Sequence, residues 1–152
     1  MLYRLFHPYD FAPLYAIEEL CFQPPLRFSR AYMRHLVESA ATATWIAEED
    51  AQMQGFAIVD LDPAAGKPVA YIQTIEVTPA SRGKGIGGQL LLRVESSARN
   101  AGAQSIWLHV DVENLDAIRI YEKHGYERQG RAEHYYARNR PAFVYAKTLD
   151  ES

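Results

Sequence analysis

The stretch from Ile72 to Leu92, IQTIEVTPASRGKGIGGQLLL, constrains this chain more than any other. It opens as an apolar, β-branched run and breaks at Pro79. It then passes through a basic, glycine-rich turn from Arg82 to Gly88 and continues at helical spacing through Leu90, Leu91 and Val94. That order predicts strand, loop and helix. A glycine-rich turn opening a helix aims bare backbone N–H groups at whatever lies above it, and the positive end of the helix dipole adds to their pull on an anion. Arg82 and Lys84 add two formal positive charges in the same place. The simplest guest is a diphosphate. The loop is not the dinucleotide fingerprint G-x-G-x-x-G, because Gly83-Lys84-Gly85 is followed by Gly87 and Gly88 with leucine at position 90. No Gly-Lys-Ser/Thr closes it as in a nucleotide P-loop.

Before this stretch, Tyr3 to Phe6 reads as a short strand ended by His7-Pro8. Asp10 is placed to cap a helix carrying Leu14, Ile17 and Cys21, which stops before Gln23-Pro24-Pro25. Ser29 is placed to cap a second helix with Tyr32, Met33, Leu36 and Val37 on one face. Thr44 to Ala47 and Phe56 to Leu61 read as strands around a polar turn from Glu48 to Gln54. Asp62 to Gly66 is a further turn, leading into a strand from Val69 to Val77. The helix from Gly85 runs to about Ala101 and meets a left-handed stop at Gly102. Ser105 to Asp111 alternates, with Ile106, Leu108 and Val110 opposite Trp107, His109 and Asp111. Asn114 caps a helix bearing Ala117, Ile118 and Tyr121, which stops at Gly125. Closing strands are expected at Tyr126 to Arg131 and Phe143 to Leu149, with Tyr135 and Tyr136 in the loop between them. The fold class is α/β, one mixed sheet with helices on both faces, in a single domain over residues 1–152.

A length of 152 residues suits one core, and one cysteine, Cys21, precludes an internal disulfide. Cys21 itself is expected to be a small, buried apolar residue. No apolar run approaches the roughly 18 residues of a membrane span, and MLYRLFHPYD carries no secretory core, so a cytoplasmic location is expected. A net charge of −3 argues against a nucleic-acid partner. The histidines and carboxylates show no metal-ligand spacing.

Two segments together carry a family resemblance. The first is R-x-x-G-x-G at Arg82 to Gly87, directly after Ile75-Glu76-Val77 and a proline. The second is Leu108-His109-Val110 through Asn114, Ala117, Tyr121 and Gly125-Tyr126. In this order and spacing they resemble the GNAT superfamily of N-acetyltransferases. The likeness is closest to the protein N-terminal acetyltransferases, of the bacterial ribosomal-protein alanine (RimI) type and the eukaryotic NatE catalytic-subunit type. A RimI-type protein is expected to have glutamate where this chain has His109, and that departure favours a NatE-like base. The resemblance implies a mostly antiparallel sheet of about seven strands, splayed in its centre.

It also implies acetyl-coenzyme A as cofactor, held by the backbone of Ile75, Glu76 and Val77 and by the loop residues Arg82, Gly83, Lys84, Gly85, Ile86, Gly87 and Gly88. Asn114, Ala117 and Tyr121 would lie along the pantetheine arm. The Val77 N–H is the expected partner of the acetyl carbonyl, and Tyr121 would steady the departing thiolate. A phenol near pKa 10 and a thiol near 8.5 differ by about 2 kcal/mol, so a hydrogen bond is expected rather than full proton transfer. Tyr71 and His109 would share a water that relays the acceptor's proton. An α-amine is easier to deprotonate than a lysine side chain by about 3.4 kcal/mol, so a weak base suffices for it. Phe22, Pro24, Pro25, Leu26, Phe28, Tyr135 and Tyr136 would bind the acceptor, a protein or peptide N-terminus, in a monomer or homodimer. A small-molecule amine acceptor stays open, since Glu38, Glu48 and Glu49 could make an acidic pocket. A coenzyme A-binding module without turnover also stays open.

Overall fold

The computed structural model describes residues 1–61 and 68–149. The turn expected from Asp62 to Gly66 lies outside the described residues. The chain begins with β1 (Leu2–Leu5), α1 (Phe11–Cys21) and α2 (Arg30–Glu38). β2 (Thr42–Glu49), β3 (Gln52–Asp60) and β4 (Val69–Val77) follow. α3 (Ile86–Asn100), β5 (Ser105–Asp111), α4 (Leu115–Lys123), β6 (Glu127–Ala137) and β7 (Arg140–Thr148) complete it. The strands form one seven-stranded sheet in the order β1-β2-β3-β4-β5-β7-β6.

Each face of the sheet carries its own core. On one face α1 and α2 cover Ile46, Phe56 and Ile58 with Phe11, Leu14, Ile17, Met33 and Leu36. On the other, Ile86, Leu90, Leu91, Val94 and Ala98 of α3 and Ile118 of α4 pack on Ala57, Val59, Ile72, Ile106 and Leu108. The alternation of β3 explains the division, since neighbouring strand residues point to opposite faces and both faces are dry. Ser29 Oγ accepts the Tyr32 N–H at 3.1 Å, as expected of the α2 cap. Gly102 at φ +87° and Gly125 at φ +88° end α3 and α4 in the left-handed conformation.

β4 and β5 are parallel and pair only from Val69–Ser105 to Ile72–Leu108. Beyond that register they part, and the second halves of both strands face a gap. A bulge helps to open it: Ile58 lies opposite Thr74 and Val59 opposite Ile72, leaving Gln73 unpaired on β4.

Several boundaries differ from the sequence expectations. The Asp10 carboxylate does not cap α1. It accepts the His7 N–H at 2.7 Å and two Arg4 hydrogen bonds at 2.8 and 2.9 Å, tying β1 to the helix start. The turn between β2 and β3 is only Asp50-Ala51, both at positive φ, so the strands run further toward each other. Tyr135 and Tyr136 belong to β6 rather than to a loop, and the chain reverses at Arg138-Asn139. The register jumps between Ala132 and Ala137, with His134 at φ +58°, so the tyrosines lie in a bulged part of this edge strand.

Candidate active site

The gap between β4 and β5 joins two cavities. On the α3 and α4 side lies a cleft of about 720 Å³, lined by Ile75, Glu76, Val77, Arg82, Gly83, Gly85, Ile86, Gly87, Gly88, Asn114, Ala117 and Tyr121 among others. On the α1 side lies a narrow slot of about 60 Å³. Both are lined by Phe22, Leu26, Ile75, Asp111, Asn114, Ala117 and Tyr121, and Ile75 and Tyr121 mark the passage through the sheet.

The loop at the cleft is a built anion cradle. Gly83 and Gly85 adopt φ of +80° and +81°, and a Cβ on either would meet nothing within 4 Å, so the backbone there faces open space. The first bond of the helix ladder is the Gln89 N–H to Gly85 O at 3.1 Å, which leaves the N–H groups of Ile86, Gly87 and Gly88 without intrahelical partners. These features fit a diphosphate. Arg82 is turned back toward β4, its Nε donating to Val77 O at 3.1 Å and its Nη2 lying 3.5 Å from Cys21 Sγ. Cys21 is half-buried, packed against the α1 core with its thiol at the rim of the cleft. Lys84 is exposed and does not line the cleft.

In the antiparallel β3–β4 ladder the Thr78 N–H bonds Gln54 O at 2.9 Å, so by alternation Thr78, Glu76 and Thr74 turn their backbone groups toward β3. Ile75 and Val77 turn theirs the other way, into the gap. Tyr121 reaches the same place from α4 and is buried. Burial, reinforced by the charge of Glu76, raises its pKa, so the phenol stays protonated and acts as a donor. Asn114 Oδ1 caps α4 by accepting the Ala117 N–H at 3.3 Å while the residue lines both cavities.

The slot holds Phe22, Leu26, Phe28, Thr74, His109 and Tyr136. Pro24 lines the cleft instead, and Pro25 lines neither cavity. His109 Nδ1 and the Tyr71 hydroxyl are 2.8 Å apart, a direct hydrogen bond that joins the two residues expected to share a water. The Tyr71 hydroxyl lies 3.3 Å from that of Tyr135, whose ring stacks on His109 at 3.9 Å between centroids. Burial raises the pKa of Tyr71, with the Tyr135 hydrogen bond adding to it, and burial lowers that of His109. The imidazole is thus neutral at about pH 7. When Nδ1 donates to Tyr71, Nε2 keeps a free lone pair.

Glu38, Glu48 and Glu49 form no acidic pocket. None lines either cavity, and Glu48 accepts Arg4 at 2.9 Å near the β1 edge. Two buried carboxylates line the slot, Asp111, which is paired with Arg140, and Glu18, which sequence reasoning missed. Its signal was available: Glu18 sits on the Leu14, Ile17, Cys21 stripe of α1, where an acidic side chain has no reason to be unless something inside needs it.

The acetyltransferase (GNAT) family model matches residues 11–126. Streptothricin acetyltransferase of Streptomyces lavendulae is 38% identical over 90 residues, 59% of this chain but only 47% of that protein, so the chain matches about half its length. N-alpha-acetyltransferase 30 of Schizosaccharomyces pombe is 29% identical over 119 residues, 78% of this chain and 79% of that protein. Among solved structures, the ribosomal-protein-S18-alanine N-acetyltransferase from Escherichia coli superimposes with a TM-score of 0.85 at 20% identity. That match covers 99% of this chain and 95% of that one, a likeness of fold.

Proposed function

This chain belongs to the acetyltransferase (GNAT) family, and from that premise we propose that it transfers an acetyl group from acetyl-coenzyme A to a primary amine, with the N-terminal α-amine of a peptide or protein as the leading acceptor. The observation that carries this reading is the passage through the sheet, which joins a glycine-cradled cleft on one face to an aromatic slot on the other. Such a passage lets two substrates meet while each is bound on its own face.

Acetyl-coenzyme A would supply the activated acyl group. The residues around it have separable tasks. The loop from Gly83 to Gly88 grips the diphosphate with backbone N–H groups. The Val77 N–H, free of the β3 ladder, is aimed where a carbonyl oxygen would gain charge. Tyr121 donates a hydrogen bond toward the sulfur, and its raised pKa keeps that donor in place. His109 is neutral and, with Nδ1 on Tyr71, presents Nε2 to the nitrogen as it sheds a proton. Phe22, Leu26, Phe28 and Tyr136 would surround the acceptor, with Tyr135 packed edge-on against Tyr136, and a slot this narrow and aromatic suits an extended backbone end better than a bulky polycation. A small-molecule amine is the second reading, favoured by the streptothricin acetyltransferase relative.

The test is a thiol-release assay with acetyl-coenzyme A across peptides with free N-termini, spermidine and kanamycin. The expected result is release with peptides above the small amines. Tight acetyl-coenzyme A binding with no release from any acceptor would refute turnover.

A further inference from the structure

Glu18 of α1 and Glu76 of β4 face each other beside the passage, and both are almost wholly buried, at 1% and 3% exposure. Each has one satisfied oxygen. Glu18 Oε2 accepts the Phe28 N–H at 3.0 Å, and Glu76 Oε2 accepts the Thr74 hydroxyl at 2.8 Å. The remaining oxygens, Glu18 Oε1 and Glu76 Oε1, have no donor among the described residues. The two carboxyls are close enough that the charge of Glu18 acts directly on Glu76. Two neighbouring carboxylates repel when both are ionised, and burial together with the neighbouring Glu18 raises the pKa of Glu76 well above the ordinary carboxylate range, so the pair keeps a proton.

One proton still leaves the pair with one negative charge, buried. The groups around it do not balance that charge. Cys21 comes from α1, Thr74 from β4 and Tyr121 from α4, while His109, Tyr136 and Asp111 share the slot with Glu18, and the Arg140 guanidinium at the cleft is already paired with Asp111 at 2.9 Å. The Arg82 guanidinium at the same cleft is held on Val77 O and Cys21 Sγ. None of the ion pairs among the described residues includes Glu18 or Glu76. A buried charge without a partner is costly, so the site is arranged for a cation that arrives from outside. On the amine-acceptor reading above, which this step rests on, the acceptor arrives as an ammonium ion.

We infer that Glu18 and Glu76 form a one-proton carboxyl site that captures the acceptor's ammonium group and strips it of the proton it must lose before attack. An ammonium N–H bond breaks and a carboxyl O–H bond forms, while the proton the pair held beforehand passes to solvent. The acceptor remains as a free amine, the pair again holds one proton, and one proton appears in solution. Acylation of an ammonium releases a further proton from nitrogen as the amide forms. That one is left to His109, so the two groups act in sequence.

Two measurements decide it. Carbon-13 NMR of glutamate-labelled protein, without any ligand, is expected to show a carboxyl titrating above the usual range in the wild type and no such signal in Glu76→Gln. The side-chain amide that Glu76→Gln introduces can donate to Glu18 Oε1, so this variant keeps its fold, and Glu18→Gln serves as a second. The other measurement is calorimetry of a Met-Leu-initiated peptide and of spermidine binding to the coenzyme A complex in phosphate and Tris buffers. About one proton is expected to be released per amine bound by the wild type and by His109→Ala, because both amines are mostly protonated at neutral pH. Glu76→Gln is expected to bind the ammonium without release. Its kcat/KM should fall about 100-fold, within the span of general-base losses. A missing carboxyl titration in the wild type, an absence of amine binding, or a proton count unchanged in Glu76→Gln would overturn the proposal. Failure of the wild type to bind acetyl-coenzyme A would instead refute the functional reading, and the ligand-free titration would still judge the pair.

Discussion

Tyr121 and His109 divide the proton chemistry by the sense in which burial acts on them. Burial opposes whichever form is charged, so it holds the phenol protonated and the imidazole deprotonated. Tyr121 can then donate and His109 can then accept without any prior titration at neutral pH. Tyr121→Phe removes only the hydroxyl from a packed ring. Turnover is expected to fall on the order of 100-fold, as for loss of one preorganised donor, while acetyl-coenzyme A affinity by calorimetry stays within error. Equal turnover would return the residue to a packing role. For His109 the sign is fixed by its lowered pKa. Activity should persist below the ordinary imidazole value of about 6.5 and decline only as pH drops through the lowered value. His109→Gln should remove that acid limb from the kcat profile, and an unchanged limb would dismiss the imidazole as a base.

At the scale of elements, the cofactor cleft rests on a strand, a loop and a helix that were legible because each has a local signature. Glycines at positive φ, a proline after a β-branched run and a leucine stripe all act within a few residues. Gly85→Val would force a β-branched residue to φ +81°, a strain of about 1–2 kcal/mol for a left-handed residue, and would put a side chain in the cradle. Coenzyme A affinity is expected to fall at least about tenfold by calorimetry, since about 1.4 kcal/mol corresponds to a factor of ten. Gly87→Ala should be milder, because its Cβ would meet the movable end of Ile120 at 2.9 Å. The slot was less legible. Tyr135 and Tyr136 lie in an edge strand whose exposed, polar sequence shows no alternation, and a bulge re-aims them. The gap depends on where β4 and β5 stop pairing, which no single segment encodes. The Glu18–Glu76 contact joins residues in separate elements, and only the misplaced charge on the α1 stripe hinted at it.

Across the whole molecule, the two faces of the sheet balance opposite electrostatic demands, and stability should register both. Asp10 is buried, which by itself would raise its pKa, but the hydrogen bonds of Arg4 and the His7 N–H outweigh this and lower it. A lowered carboxyl contributes stability above its unfolded value of about 3.9, lost as pH falls through the folded value. Glu76 behaves oppositely. Its raised pKa means that its contribution is full below the unfolded value of about 4.3 and is lost as pH rises through the folded one. The first group anchors β1 and β2 to α1, while the second sits at the passage, so the acid limb reports scaffold integrity and the alkaline limb reports the site. Thermal unfolding followed by circular dichroism across strongly acidic to mildly alkaline buffers is expected to give a Tm that peaks between the two limbs. Glu76→Gln should flatten the alkaline limb and raise Tm there, because a neutral amide replaces the charge that deprotonation would leave buried. Asp10→Asn should flatten the acid limb and lower Tm at neutral pH, because Arg4 loses its carboxylate. An alkaline slope identical in Glu76→Gln and the wild type would mean that the carboxyl at the passage ionises as freely when folded as when unfolded.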